Sequence, residues 1–451
     1  MKLLAPCLAL LLAFPAIAAA ADPPSWKAGA VATRITPEQS MWMAGYAART
    51  APSEGVELDL YAKALVLVDA GGETFALVTM DLIGVPRSLR LAVAERVEQQ
   101  YGIKPSHLTI NASHTHSGPE LRTSKLWGVD DVALRQEEAG EYTAELEMKL
   151  VRMVGEALAK AAPAKVAYCS STCGFAMNRR TPDGQGGWKN FPNPEGPVDQ
   201  RVPVLKVSGL DDQELAIVFG YACHCTTLGH QKFSGDYAGY AQRQIEANHP
   251  GAVALFMNGC SGDQNPYPRK TTALAETHGQ TLATAVEAAL GTTTKPIEGT
   301  IRAAYREIPL AYESLPSRAQ LEEEQKSPDK WVATHATRVL QRLDEEGSLP
   351  KDYPYPVQVL RIGSDLTWVT LGGEVVVDYS LRLGRELPGP IVWVSGYSND
   401  VMGYIPSQRV WEEGGYEGGG AMVYGTHPSR WASQVEEQIV NTVKELRQSL
   451  D

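Results

Sequence analysis

Strand-like and helix-like segments alternate along almost the whole of this 451-residue chain, and no other feature restricts its fold as strongly. Residues 64–69 and 74–80 are apolar runs joined by Gly71-Gly72, a combination typical of a β-hairpin. Residues 88–101 then follow with helical periodicity. Strands and helices mixed in this way, with hairpins among them, predict an α/β fold in which mixed sheets and packed helices form a layered sandwich.

The same alternation continues to the C-terminus without an internal repeat or a clear linker, so we expect a single large domain. The segment 181–196 is rich in Gly and Pro, and we expect it to form a surface loop. We predict further strands at residues 107–112, 202–207, 215–222, 253–257, 356–362, 367–371 and 391–394. We predict further helices at residues 142–161, 237–247, 273–290, 319–326, 330–345, 376–387 and 428–449.

The N-terminal residues predict export from the cytoplasm. Lys2 precedes an apolar run over residues 3–17, and the alanines at residues 18–21 are the small side chains of a cleavage site. We therefore assign residues 1–21 to a signal peptide and residues 22–451 to the mature domain, which we expect to be periplasmic or secreted. No later run approaches the ~20 apolar residues that a membrane-spanning helix needs.

Charge restricts the partners of the chain. The formal net charge of -12 argues against a nucleic-acid partner, because phosphates require a basic protein face. The same charge disfavours electrostatic docking on anionic lipid, although it leaves a transient contact with a membrane surface open. The sequence gives no indication of the oligomeric state.

Five cysteines follow the signal peptide, so at least one thiol must be unpaired even where export permits disulfides. Cys223 and Cys225 flank His224, and a zinc–thiolate site is one interpretation of that pattern. Because no paired C-x-x-C spacing is present, the favoured interpretation is that these are buried free cysteines.

The motif His114-Thr-His116 is the first candidate functional site. Side chains two residues apart on an extended strand point to the same face, so these two histidines can converge on one metal ion or one substrate atom. The alternative is a pair of hydrogen-bonded polar residues at a strand end. A functional role is favoured because the pair uses two of only nine histidines in the chain.

Three other reactive segments also follow apolar strands, which is where open α/β sheets place their ligand sites. His224 ends one strand, where a lone histidine can equally be a core residue. The Gly-rich turn 258–266 can present N–H groups to an oxyanion, or it can be a tight turn with a capping aspartate. Glu374 follows two glycines and is either a metal ligand or a solvated helix-start residue. No H-E-x-x-H motif of ordinary metallopeptidases is present.

In their order along the chain, these segments resemble the neutral/alkaline non-lysosomal ceramidase family. Tyr404 and the later Tyr416-Glu-Gly are part of the resemblance. The other matching segments are G-A-V-A-T-R-I-T-P at 29–37, M-A-G-Y at 43–46, S-H-T-H-S-G-P at 113–119, M-N-R at 177–179, S-G-D-Y-A-G-Y at 234–240 and G-E at 373–374.

The resemblance implies a zinc-dependent amidohydrolase that cleaves a linear N-acyl amide, either ceramide or a smaller acylated compound. It implies one Zn²⁺ per chain, with four protein ligands, and it implies that three other residues face the substrate. The implied ligands are His114, His224, Glu374 and Tyr404. The implied substrate-facing residues are His116, Arg179 and Tyr416. His116 would transfer a proton, and Arg179 with Tyr416 would hold the developing oxyanion.

The chain departs from the family pattern at two points. Asn265 stands where the family's Gly-Asp-x-Ser-Pro turn has serine, and Ser261 is displaced by several residues. We therefore expect zinc-activated water to be the nucleophile and Asn265 to act as a hydrogen-bond partner. We also expect the catalytic domain alone, without the C-terminal β-sandwich of longer members. Two alternatives stay open: cleavage of an ester, lactone or peptide-type amide at the same site, and a ligand-binding protein that has lost catalysis.

Overall fold

A computed structural model describes residues 26–126 and 131–451. The predicted signal peptide, residues 1–21, lies outside the described residues. None of the described helices combines the length and the apolar character needed to span a membrane.

The elements are numbered in chain order. The strands are β1 Trp26–Arg34, β2 Tyr61–Asp69, β3 Thr74–Met80, β4 Leu108–Ala112, β5 Ala162–Thr172, β6 Ala176–Pro182, β7 Trp188–Asn193, β8 Arg201–Gly209, β9 Glu214–Tyr221, β10 Val253–Asn258, β11 Gln264–Pro266, β12 Lys295–Pro296, β13 Ile301–Ala311, β14 Asp352–Ile362, β15 Leu366–Leu371, β16 Glu374–Val375, β17 Ile391–Ser395 and β18 Tyr404–Ile405. The helices are α1 Arg87–Tyr101, α2 Val132–Ala159, α3 Asp236–Asn248, α4 Thr272–Leu290, α5 Arg318–Glu324, α6 Lys330–Glu346, α7 Asp378–Glu386, α8 Gln408–Glu413 and α9 Val435–Ser449.

Two mixed sheets form the centre of the molecule. The larger has the order β10-β9-β8-β5-β1-β2-β3-β4, with β12 added beside β5. The smaller has the order β13-β14-β15-β17. Most neighbours are antiparallel, but β3 with β4, β9 with β10, and β15 with β17 are parallel. Short pairings, β11-β6-β7 and β16-β18, lie outside these sheets.

The alternation of side chains along each strand places different residues in different layers. On β2, Ala64 and Val66 pack beneath α1 and α2, whereas Leu65 and Leu67 face the smaller sheet. On β9, Phe219 packs against α3 and α4. The outer face of the smaller sheet is covered by α7 and α9. Helices, two sheets and further helices therefore stack as four layers, which confirms the predicted α/β layered sandwich in one domain.

The interface between the two sheets is closed by a stacked pair of indoles. The rings of Trp368 on β15 and Trp393 on β17 lie 4.3 Å apart at their centroids, with an interplanar angle of 11°. The edge of Phe75 on β3 packs against Trp368 from the opposite sheet. Since both faces of each sheet are buried, the central strands are continuous apolar runs, which explains their clear signal in the sequence.

Several elements differ from the sequence-based boundaries. Helix α2 begins at Val132, ten residues before the predicted start, and α9 begins at Val435 instead of residue 428. The expected loop 181–196 contains strand β7, which pairs with β6. Strand β5 was not predicted, because polar, exposed residues interrupt its apolar pattern. Strands β5 and β7 form because they pair with neighbouring strands, and this pairing outweighs their weak local signal.

The two ends of the larger sheet meet in space. Strands β4 and β10 are the last strands at opposite ends of the sheet order. Nevertheless, the main-chain N–H of Asn258 donates to Asn111 Oδ1 at 3.0 Å, and the Asn258 side chain donates to the carbonyl of Ser113 at 3.0 Å. The sheet therefore curls until the segments that follow β4, β9 and β10 converge.

Candidate metal centre

His114 follows β4 in a left-handed backbone conformation, with φ of 64°, and is 1 % exposed. Its Nδ1 lies 2.6 Å from the carbonyl oxygen of Ile83. A carbonyl can only accept a hydrogen bond, so Nδ1 carries the proton and donates. Nε2 is therefore the ring atom left to bind a metal, which is the arrangement found in metal-binding histidines.

His224 repeats this arrangement after β9. The residue is fully buried, and its Nδ1 donates to the carbonyl oxygen of Ser261 at 2.6 Å. Burial, followed by the charge of Arg179, lowers the pKa of His224 to about 3. A backbone carbonyl thus fixes the orientation of each ring through Nδ1 and turns Nε2 of both histidines toward the same point.

Glu374 brings its carboxylate to both histidines. Its Oε2 lies 3.1 Å from Nε2 of His114 and 3.3 Å from Nε2 of His224. This oxygen is buried and has no hydrogen-bond donor among the described residues. Three atoms that carry lone pairs thus face one another at short distance, and a cation between them is the arrangement that removes their mutual repulsion.

Tyr404 provides a fourth donor atom. Its hydroxyl lies 3.4 Å from Nε2 of His224, and its ring stacks on that imidazole with an interplanar angle of 12°. Strand pairing explains its position, because β16 and β18 place Glu374 directly opposite Tyr404. The donor set of two imidazole nitrogens, one carboxylate and one phenol oxygen fits Zn²⁺.

His116 lies beside this group but is held differently. Its Nε2 is 3.2 Å from Nε2 of His114, and the three histidines place one ligand atom each within 4.8 Å of one another. Its Nδ1 is buried without a partner among the described residues, whereas the other two histidines donate from that atom to carbonyls. Geometry alone therefore makes His116 either a third imidazole ligand or a proton acceptor beside the metal.

Gly45 explains why the sequence M-A-G-Y belongs to this site. Its φ is 97°, and a Cβ atom on this residue would lie 2.4 Å from Cγ of His116. The next residue, Tyr46, packs its ring 4.8 Å from the His116 ring. Only glycine permits the main chain to approach the imidazole so closely.

Arg179 on β6 spans the other side of the group. Its Nε donates to Glu417 Oε1 at 2.8 Å, its Nη1 to Asn265 Oδ1 at 3.1 Å and its Nη2 to the hydroxyl of Tyr404 at 3.0 Å. The side chain is 4 % exposed, so the guanidinium is fixed on three sides.

Asn265 is a hydrogen-bond partner in this network. Its Oδ1 accepts from Arg179 and, at 3.3 Å, from Thr226. The amide lies on β11, which pairs Asn265 with Met177 on β6, so Asn265 shares a face with Arg179 two residues further along β6. Ser261 contributes its carbonyl to His224, and its own hydroxyl is buried without a partner among the described residues.

The comparisons with known proteins decide the family. The model described as "Neutral/alkaline non-lysosomal ceramidase, N-terminal" matches residues 26–304, which is more than half of the chain. The protein belongs to this family. The match includes His114, Arg179 and His224, whereas Glu374 and Tyr404 lie after the matched residues.

Curated relatives and solved structures agree with this family. Neutral ceramidase B of Dictyostelium discoideum is 24 % identical over 248 residues, covering 51 % of this chain and 33 % of that protein. Neutral ceramidase A of the same organism is 23 % identical over 253 residues, covering 51 % of this chain and 34 % of that protein. The chain therefore matches about a third of the length of these relatives.

The crystal structure of neutral ceramidase from Pseudomonas aeruginosa superposes with a TM-score of 0.73 at 20 % identity, covering 95 % of this chain and 75 % of that one. A ceramidase complexed with C2 superposes with a TM-score of 0.74 at 19 % identity, covering 95 % of this chain and 75 % of that one. The similarity of fold thus extends beyond the residues that the family model matches.

Tyr416 stands at the entrance of a cavity beside the metal centre. Its ring centroid is 5.2 Å from that of Tyr404, and the residue is 39 % exposed. The cavity has a volume of about 530 Å³, including the space at its mouth that is open to solvent. Glu374 and Tyr404 form part of its wall, so a molecule bound there would reach the candidate metal ligands.

Sequence reasoning missed two residues of this site. Glu417 lies within the family segment Tyr-Glu-Gly, but the sequence did not predict a role for it. Its carboxylate binds both Arg179 and Arg180, and its Oε2 lies 2.7 Å from Arg180 Nη1. Tyr397 places its ring 4.6 Å from that of His114, with its hydroxyl buried and without a partner among the described residues. To predict the role of Glu417, one would have had to pair it with arginines that are distant in the chain. No local sequence signal indicates Tyr397.

The structure agrees with the interpretation that the cysteines are buried and free. All five described cysteines are buried and unpaired. The side chains of Cys223 and Cys225 lie in the apolar cluster under α3 and α4, and neither thiol is among the clustered ligand atoms of the three histidines. Burial raises the pKa of both thiols well above its ordinary value, which disfavours the thiolate form.

Proposed function

We propose that this protein is an exported, zinc-dependent amidohydrolase that cleaves the N-acyl amide bond of ceramide or of a smaller, lipid-like acylated compound. One observation carries the proposal: Oε2 of Glu374 faces Nε2 of His114 and of His224 without a hydrogen-bond donor, while carbonyls hold both histidines by Nδ1. Membership of the ceramidase family supports the class of reaction.

His114, His224, Glu374 and Tyr404 would hold one Zn²⁺. When bound, zinc polarises a carbonyl group and lowers the pKa of a water molecule. The carbonyl partners on both histidines orient the rings and raise their basicity, as in many zinc sites. The site therefore needs no thiolate ligand.

His116 is the residue best placed to move a proton. Burial, followed by the neighbouring histidines, holds its pKa well below the ordinary value, so the ring is neutral and able to accept. In hydrolysis, His116 takes a proton from the attacking water and returns it to the amide nitrogen as the C–N bond breaks. A free carboxylic acid and an amine leave, and the ring regains its neutral state.

Arg179 and Tyr416 would stabilise the negative charge that develops on the acyl oxygen. Arg179 is already oriented by Glu417, Asn265 and Tyr404, so little reorganisation is needed during the reaction. The phenol of Tyr416 lies at the cavity wall next to Tyr404 and can donate from the opposite side.

Water is the nucleophile in this proposal. The side-chain amide of Asn265 is not nucleophilic, and its oxygen is engaged by Arg179 and Thr226. We infer that Asn265 positions the guanidinium and forms no covalent intermediate.

A chelator-controlled assay tests the proposal. Purified protein should contain about one zinc ion per chain and should hydrolyse members of a panel of ceramides, N-acyl amino acids, simple esters and acylated sugars. Removal of zinc should abolish activity, and added zinc should restore it. His114→Ala and Glu374→Ala should each lose zinc and activity, because each removes a ligand.

His249→Ala provides the matched control. This histidine pairs with Glu287 at 3.1 Å and lies outside the histidine group, so the variant should keep its zinc and its rate. Full activity of metal-free protein would rule out the zinc mechanism. A preference for esters over every amide in the panel would move the reaction to the esterase alternative.

A further inference from the structure

The cavity beside the metal centre carries a second chemical feature. Its wall includes the ligand Glu374 and, elsewhere, two basic side chains, Arg122 and Lys125. Apolar groups line much of the remaining surface, among them Met422 and Trp431. An occupant of this cavity would thus contact the metal ligands, an apolar wall and a basic group at once.

Most charges around the cavity already have partners. Arg122 forms two hydrogen bonds with Glu120, from Nε and from Nη2, each at 2.7 Å. Glu417 is shared by Arg179 and Arg180. The opposite charges of these paired side chains therefore balance each other and create no strong preference for a charged ligand.

Lys125 is different. The side chain is half-buried, and its Nζ donates to the carbonyl of Tyr424 but forms no ion pair with any described carboxylate. Two of its three donor positions have no partner among the described residues. Burial, followed by the charge of Arg122, lowers the pKa of Lys125 to about 7, although Glu120 and Glu374 act in the opposite direction. A half-buried cation that forms no ion pair with the described carboxylates is stabilised by an anionic ligand.

We propose that the substrate is an N-acyl amine that carries a carboxylate near the amide, such as an N-acyl amino acid, and that Lys125 binds this carboxylate. The inference rests on the proposed amidase function and specifies its substrate class. One ammonium group matches one negative charge, whereas phosphate sites use arginine forks or several converging donors, and Arg122 is occupied by Glu120. Met422 and Trp431 would contact the apolar part of the substrate.

Kinetics on matched substrates test this proposal. N-lauroyl-phenylalanine and its neutral carboxamide differ only in the charged group. The native holoenzyme should hydrolyse the acid with kcat/KM at least tenfold above that of the carboxamide. Lys125→Met should lower kcat/KM for the acid at least tenfold and leave the value for the carboxamide within twofold, so the carboxamide reports on folding of the variant. Lys125→Arg should keep most of the preference.

Calorimetric binding separates this proposal from the proposed function. The probes are ketomethylene analogues of both substrates, in which a methylene group replaces the amide N–H and prevents cleavage. Stronger binding of the acid analogue to native protein than to Lys125→Met supports the carboxylate site, even if no amide is cleaved. Equal rates and equal binding for acid and carboxamide overturn it while leaving the amidase function intact. A parallel loss for both substrates in Lys125→Met assigns the lysine a structural role and also overturns it.

Discussion

At the scale of single residues, the hydrogen-bond partners of the buried polar atoms distinguish the roles of the side chains in the site. Glu374 Oε2 lacks a donor among the described residues, whereas the Nδ1 atoms of His114 and His224 are satisfied by carbonyls. Buried polar atoms are normally paired, so an unpaired oxygen between two imidazoles has a functional explanation. The same criterion distinguishes His116, whose Nδ1 has no carbonyl partner.

Glu417 should act as a positioning residue for Arg179. Glu417→Gln keeps the size of the side chain but removes the charge that fixes Nε of Arg179 at 2.8 Å. Hydrogen bonds to charged groups are worth about 1.5–3 kcal/mol, so we expect kcat to fall roughly tenfold to a hundredfold with a smaller change in KM. Zinc content, measured by metal analysis, should be unchanged.

Glu413→Gln is the control for that variant. Glu413 binds Arg180 at 3.0 Å and Arg409 at 3.0 Å, and no hydrogen bond joins it to Arg179. A loss of kcat that is equal in the two variants would show that the whole ion-pair network matters for folding and not for orienting Arg179.

Asn265→Ala should weaken activity without exposing an acyl-enzyme. The amide orients Arg179 through a single hydrogen bond, and we expect a loss of about tenfold. Mass spectrometry of intact protein, quenched during turnover, should show no added acyl mass in the native enzyme or in the variant. An acyl adduct that disappears in Ser261→Ala would instead identify Ser261 as a nucleophile.

At the scale of elements, close contacts between segments place the reactive groups. The pairing of β16 with β18 sets Glu374 opposite Tyr404, and the pairing of β11 with β6 sets Asn265 on the same face as Arg179. Both pairings are short, so the residues that carry the chemistry sit in connections that the two main sheets support. Such connections are where rigid scaffolds usually place catalytic groups.

Gly45→Ala tests the contact between the M-A-G-Y segment and the site. The new Cβ would lie 2.4 Å from the His116 ring, so the ring or the segment must move. We expect kcat to fall at least tenfold, because small displacements of a proton-transfer group cost rate steeply. Steady-state kinetics and metal analysis should show lost turnover with retained zinc.

Gly55→Ala is a closely matched control for Gly45→Ala. Gly55 also has a positive φ, 140°, but a Cβ there meets no atom within 4 Å. Both substitutions strain the backbone, and only Gly45→Ala also disturbs His116. Equal kcat values in the two variants would contradict the role that we assign to Gly45.

At the scale of the whole molecule, the curled sheet joins distant parts of the chain by buried polar groups. Asp81, after β3, accepts from the N–H of Tyr61 at 2.9 Å and from Gln242 on α3 at 3.0 Å. Burial raises the pKa of Asp81 to about 6. The folded state therefore holds a proton here at pH values where the unfolded chain, with an aspartate pKa of about 3.9, has released it.

This difference predicts the pH dependence of stability. A raised pKa in the folded state contributes stability that is complete below about pH 4 and is lost as the pH rises through about 6. Asp81→Asn removes this titration, so the stability of the variant relative to native protein should increase by roughly 2 kcal/mol between pH 4 and 7. Denaturant unfolding at a series of pH values provides the measurement. Parallel profiles for native protein and Asp81→Asn would contradict the prediction.

The fold class was accessible from the sequence because the strands of the two central sheets are buried on both faces. Their apolar runs, such as β3 and β10, are local and continuous, so they stand out without knowledge of their partners. The exposed strands β5 and β7 lack this signal, and only pairing with neighbouring strands makes them strands.

Only part of the candidate site could be predicted from the sequence. The sequence by itself determined the family, the reactive residue types and their positions after strand ends, because motifs and periodicity are local properties. Only the tertiary structure decided that Glu374 lies between His114 and His224, that Glu417 holds Arg179, and that Lys125 shares a cavity with Glu374 and Tyr404. The physical reason is that these distances depend on how the larger sheet curls to bring β4 and β10 together, and that curl results from packing between layers that no local segment records.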